Sequence, residues 1–127
     1  MRIEHIAIWV TDLEAMRTFY EMYFNAVAGD KYHNPTKEFT SYFLSFTDGA
    51  RLEIMHKPSI QVAKNNAIHT GFIHFAISVG SKEQVNILTE KLREDGFTIA
   101  GEPRTTGDGY YESVVLDPEG NQIEITI

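Results

Sequence analysis

Ile3-Glu4-His5-Ile6-Ala7-Ile8-Trp9-Val10 and Phe72-Ile73-His74-Phe75-Ala76-Ile77-Ser78-Val79 share one pattern: apolar, variable, His, apolar, Ala, Ile, variable, Val. His5 and His74 stand 69 positions apart in a chain of 127 residues. An internal repeat at that spacing divides the chain into two halves built alike, and it outranks any single element in deciding the fold. Within each stretch the apolar residues alternate, the two-residue period of a half-buried strand.

The repeat continues outward from both stretches. Each is followed by a helix-start signal of capping-box type: Thr11 or Asp12 before Glu14, and Ser81 before Gln84. Leu13, Met16, Tyr20, Tyr23 and Phe24 then recur with helical spacing, as do Val85, Leu88 and Leu92. The helices are expected to end near Asn25 and Gly96, residues that tolerate the left-handed conformation. Further β-like runs follow: Thr40–Phe46 and Arg51–His56 around Thr47-Asp48-Gly49-Ala50, then Tyr111–Leu116 and Gln122–Ile127 around Asp117-Pro118-Glu119-Gly120-Asn121. Both connections carry hairpin chemistry. Short strands near Lys31 and at Phe97–Ala100 complete two βαβββ half-units, 1–56 and 71–127, joined by a linker at 57–70. The fold class is α+β, and a unit this small leaves a sheet face to be covered by its twin or by another chain.

Strand alternation sorts the side chains into two faces. Ile6, Ile8 and Val10 oppose His5, Ala7 and Trp9; Phe75, Ile77 and Val79 oppose His74, Ala76 and Ser78. Leu52 and Ile54 oppose Glu53 and Met55, and Ile123, Ile125 and Ile127 oppose Glu124. One face is apolar and belongs under the helices. The other carries two imidazoles and two carboxylates, donors that suit Zn²⁺, Ni²⁺, Co²⁺, Mn²⁺ or Fe²⁺. A single His or Glu in a strand is ordinarily packed or solvated; recurrence in both halves is what favours ligation.

Composition narrows the chemistry. With 43% apolar and 23% charged residues, the chain reads as a globular domain. The absence of cysteine excludes disulfides, zinc-thiolate sites and thiol nucleophiles. A net charge of −7, from 18 acidic and 11 basic residues, argues against nucleic acid or an anionic membrane as partner. No apolar run reaches a membrane span and no signal-peptide pattern opens the chain, so a soluble, cytoplasmic globular domain is expected.

The opening Ile3–Leu13, the pair Phe19-Tyr20 and the ending Asp117-Pro118-Glu119-Gly120-Asn121-Gln122-Ile123-Glu124 resemble the vicinal oxygen chelate superfamily, the glyoxalase I, bleomycin-resistance and extradiol-dioxygenase group. The resemblance covers nearly the whole chain. It implies paired βαβββ modules in a curved mixed sheet around a metal cup, within a homodimer. The glyoxalase I-like members use ligands in the order His, Glu, His, Glu, which implies His5, Glu53, His74 and Glu124 as metal ligands. It also implies a lyase or isomerase acting by proton transfer on a hemithioacetal or α-hydroxycarbonyl-like substrate, with Glu124 as base and Glu53 its symmetric partner.

Two alternatives stay open: a ligand-sequestering protein of the bleomycin-resistance type, which lacks the metal residues, and an extradiol-type dioxygenase, in which Glu53 is surplus. Glutathione-using members have Arg on the first strand where Trp9 stands, and Asn soon after the first Glu ligand, where His56-Lys57-Pro58 follows. These departures argue against glutathione and offer Trp9 and Met55 as contacts for an apolar substrate. His33, His56 and His69 are expected in or beside loops, solvated, and Tyr110-Tyr111 in a hairpin or flap. Arg104 and Lys57 are cations available to an anionic substrate.

Overall fold

Alternating apolar runs and two capped amphipathic segments set the elements. The computed structural model describes residues 1–61 and 70–127. The reading of His69 and the centre of the linker lie outside those residues. The chain order is β1 (His5–Trp9), α1 (Leu13–Phe24), β2 (Val27–Ala28), β3 (Tyr32–Asn34), β4 (Phe39–Ser45), β5 (Arg51–His56), β6 (His74–Ser78), α2 (Lys82–Glu94), β7 (Ile99–Thr105), β8 (Tyr111–Leu116) and β9 (Gln122–Thr126). Contacts divide it into two compact units, Met1–Ala67 and Ile68–Ile127. No described helix is long and apolar enough to cross a membrane.

The helix signals act as read. The Asp12 carboxylate accepts the Ala15 N–H at 2.9 Å, and the Ser81 hydroxyl accepts the Gln84 N–H at 3.2 Å. Asn25 ends α1 in the left-handed conformation, with φ 52°. In α1 the buried stripe is Leu13, Met16, Phe19, Tyr20 and Phe24. Phe19 joins it and Tyr23 is only half-buried, because the apolar stripe is wider than one row of residues. In α2, Thr89 is buried where Leu88 was expected. Its hydroxyl donates to the Val85 carbonyl at 2.6 Å, so the Ser113 hydroxyl, 2.7 Å away, donates to Thr89. A matched pair of hydroxyls thus satisfies two polar groups under the helix.

Unit 1 has the sheet order β1-β5-β4-β2 with β3 also on β4; unit 2 has β6-β9-β8-β7. Pairings β1–β5 and β6–β9 are parallel and the rest antiparallel, so both sheets are mixed. The α+β architecture is as expected, with the strands divided between two sheets. Two short strands flank Lys31 in place of one, and β7 is longer than Phe97–Ala100, because β8 offers it a full antiparallel edge. Helix α1 lies on β4 and β5, and α2 on β7, β8 and β9. They cover the face bearing Leu52 and Ile54 in one unit and Ile123 and Ile125 in the other, all four buried. Ile73 and Ile127, just outside their strands, stay exposed.

The turn before β9 is heavily hydrogen-bonded. Buried Asp117 accepts the N–H groups of Glu119 at 3.0 Å and Asn121 at 2.9 Å through one oxygen, and the Asn121 amide at 2.8 Å through the other. Gly120 takes φ 86°, a conformation open to glycine. This turn fixes Leu116 opposite Gln122 and therefore the register of Glu124. Asp117→Ala leaves those donors without their acceptor and is expected to lower unfolding free energy by about 1–3 kcal/mol in denaturant titration.

A second polar tie joins α1 to unit 1's sheet. Glu14 accepts from Lys31 at 2.8 Å and from the Tyr42 hydroxyl at 3.0 Å, bonds that hold its carboxyl below the usual 4.5. The same bond raises Lys31 above 10.5. A lowered carboxylate stabilises the fold above its unfolded value, and that contribution fades as pH falls through the folded value. Wild type should therefore exceed Glu14→Gln in thermal midpoint at neutral pH, with the gap closing below pH 4.5 and also shrinking above pH 10.5.

Candidate functional site

The two parallel pairings have the same register. His5 stands opposite Arg51, Ala7 opposite Glu53 and Trp9 opposite Met55; His74 stands opposite Gln122, Ala76 opposite Glu124 and Ser78 opposite Thr126. In each unit a glutamate faces an alanine, whose methyl leaves room above it. The histidine two residues earlier on the same face leans toward that carboxylate. Its Nε2 lies 3.9 Å from Glu53 Oε2 in unit 1 and 2.6 Å from Glu124 Oε2 in unit 2. The glutamate side chains are 13% and 16% exposed and the histidines 41% and 40%, so each pair is a shielded carboxylate under an open imidazole.

The longer distance in unit 1 has a local cause. His5 Nδ1 is 2.6 Å from Glu4 Oε2, and Glu4 also accepts from Arg51 Nε at 2.8 Å. These two bonds keep the Glu4 carboxyl below its ordinary value. The Arg51 guanidinium lies 4.2 Å from the centre of the Phe43 ring, and Phe43 meets His5 edge-on at 5.2 Å. In unit 2 the matching positions hold Ile73, Gln122 and Val114, and His74 turns to Glu124. Sequence reading passed over Glu4; its signal was adjacency to His5, with Arg51 two residues before Glu53.

The structure thus brings His5 to Glu53 and His74 to Glu124. Among the described residues, no group of three or more His, Asp or Glu side chains gathers as a metal site. A family model for the Glyoxalase/Bleomycin resistance protein/Dioxygenase superfamily matches residues 2–125. The chain belongs to that superfamily. It is 28% identical to the uncharacterized protein YqjT of Bacillus subtilis (strain 168), over 97% of this chain and 96% of that one. Glyoxalase I from Zea mays matches its structure with a TM-score of 0.79 at 25% identity, covering 98% of this chain and 44% of the maize chain. This chain therefore spans less than half of that protein. The trypanothione-dependent glyoxalase I of Leishmania major matches with a TM-score of 0.80 at 25% identity, over 99% and 86%.

Other residues of this superfamily member fall as follows. Trp9 is half-exposed beside Met55, with the Lys57 ammonium 5.4 Å from its ring centre. His33 lies in the short β3, exposed. His56 ends β5 and is half-buried, and its Nδ1–H donates to the Val10 carbonyl at 3.0 Å; the β1–β5 ladder runs on past Trp9 and captures it. Tyr110 closes a hairpin in which Thr106 N–H donates to its carbonyl at 2.8 Å, and Tyr111 is in β8, its hydroxyl donating to Asn86 at 2.8 Å. Ser41 and Glu112 were unforeseen. Both are buried, both share the His–Glu face of their sheets, and they occupy matching positions opposite Met55 and Thr126.

A carboxylate only accepts hydrogen bonds, so Glu4 requires the neutral His5 ring to carry its proton on Nδ1. Nitrogen-15 spectra of His5 are expected to show that tautomer in the wild type and a mixture in Glu4→Ala. An Nε2-protonated neutral ring in the wild type would overturn this assignment.

Proposed function

We propose that this protein is a divalent-metal-dependent glyoxalase I-like lyase or isomerase, cytoplasmic and homodimeric, acting on a small oxygenated substrate of hemithioacetal or α-hydroxycarbonyl type. The observation that supports the reading is the His–Glu pair repeated at one register in both units of a superfamily member. The donor set fits a divalent ion of the Zn²⁺, Ni²⁺, Co²⁺, Mn²⁺ or Fe²⁺ group. Each pair offers an imidazole nitrogen and a carboxylate oxygen on one exposed strand face, and two carboxylates balance the ion's charge.

His5, Glu53, His74 and Glu124 would hold the ion. Bound there, it supplies stabilisation of the negative charge that develops on adjacent substrate oxygens. Glu124 takes a proton from one substrate carbon and returns it to the next. Its low exposure keeps bulk water from exchanging that proton in transit. Glu53, in the equivalent position, is its symmetric partner and shares that delivery at the second carbon. Trp9 and Met55 form an apolar bank on β1 and β5 for the unreactive part of the substrate. The departures at Trp9 and after Glu53 favour a thiol other than glutathione.

Elemental analysis after reconstitution with Ni²⁺, Zn²⁺ or Mn²⁺ tests the reading. About one ion per chain is expected in the wild type and a loss of at least tenfold in affinity in His5→Ala. Glu124→Gln should keep part of the metal and lose about a hundredfold or more in turnover of methylglyoxal hemithioacetals. A wild type that takes up no metal and binds an aromatic ligand stoichiometrically would move the protein to the bleomycin-resistance reading.

A further inference from the structure

One break in the internal repeat, on the face that carries the His–Glu pair, introduces a buried carboxylate. Where unit 1 has Ser41 opposite Met55, unit 2 has Glu112 opposite Thr126. The Glu112 carboxylate is shielded, its side chain 9% exposed, and it accepts from Arg104 Nη2 at 3.3 Å. Arg104 is the open member of the pair, with its side chain 52% exposed. A ligand approaching this face therefore meets the guanidinium and not the carboxylate.

The position of that guanidinium is built into the backbone. Strand β7 shifts register on both sides of Gly101, which stands opposite Val114. A Cβ at Gly101 would come within 2.8 Å of Arg104 Nη1. The guanidinium thus folds back along β7 over the glycine, in space that any side chain would fill. Val114 in turn stands opposite Glu124 on β9. Gly101, Val114 and Glu124 form a row across three neighbouring strands, each about 4.8 Å from the next. Arg104 consequently sits two strands from the carboxylate assigned above as the base, on its side of the sheet.

We propose that Arg104 is a subsite for an oxyanion of the substrate, and that the substrate class is therefore carboxylate-bearing; this rests on the metal-dependent reading of the His–Glu pairs. Glu112 orients the planar fork and Gly101 seats it. The remaining N–H donors offer the parallel pair of hydrogen bonds that a carboxylate accepts. The cations near Trp9 and Met55 in unit 1 are held otherwise, Arg51 between Glu4 and the Phe43 ring and Lys57 over the Trp9 ring, so the preference belongs to unit 2.

The test uses the full chain reconstituted with Ni²⁺ or Zn²⁺ and two probes that chelate through the same pair of adjacent oxygens. Acetohydroxamate has a neutral methyl tail, and succinic monohydroxamate a carboxylate tail. Wild type is expected to bind the carboxylate probe about tenfold more tightly. That preference should fall to about twofold or less in Arg104→Gln and in Gly101→Ala, and survive in part in Arg104→Lys. Gly101→Ala displaces the guanidinium while keeping its charge, and unchanged thermal midpoints separate these effects from misfolding. Equal affinities in the wild type, or a preference that persists in Arg104→Gln, overturn the subsite and leave the metal-dependent reading standing. If the reconstituted wild type binds neither hydroxamate, that reading falls and the subsite with it.

Discussion

The parallel pairing of β1 with β5, and of β6 with β9, is the constraint on which the rest depends. It places Ala7 beside Glu53 and Ala76 beside Glu124, and it sets each histidine one step back on the same face. A slip of one residue would send both imidazoles under the helices and bring isoleucines to the surface. The buried Leu52, Ile54, Ile123 and Ile125 oppose such a slip, so core packing and site geometry enforce one register. Each unit adds its own brake: hairpin turns before β5 and β9, the latter held by three hydrogen bonds to Asp117.

Equal backbones do not make equal sites. In unit 1 the Glu4–His5–Arg51–Phe43 chain holds the imidazole away from its carboxylate; in unit 2 the imidazole rests on Glu124. The surroundings diverge in the same sense. Trp9, Met55 and Phe43 stand on the first face where Ser78, Thr126 and Val114 stand on the second, and the second adds Glu112 with Arg104. A duplicated half-unit can keep its His–Glu pair and specialise everything around it.

Much of this was legible in the chain. The repeat of apolar, variable, His, apolar, Ala, Ile located both edge strands, and the capping residues Asp12 and Ser81 located both helix starts. The four candidate residues followed from strand parity and from their recurrence in both halves; their pairing did not. Less legible were features that depend on who sits opposite whom. Thr89 and Ser113 look like defects in apolar patterns until each is seen to satisfy the other. His56 reads as a solvated strand end until its ring is seen to donate to the Val10 carbonyl.

The sequence by itself determined the two-unit α+β organisation, the faces of the strands and the identity of the four paired residues. Periodicity and turn chemistry are local properties, and a duplicated pattern reports them twice. Only the tertiary structure decided that His5 answers to Glu4 while His74 answers to Glu124, and that Arg104 lies over Gly101 beside a shielded Glu112. Those outcomes depend on which partner each side chain takes, from the adjacent Glu4 for His5 to Glu124, 50 positions from His74, and strand register sets which of them compete.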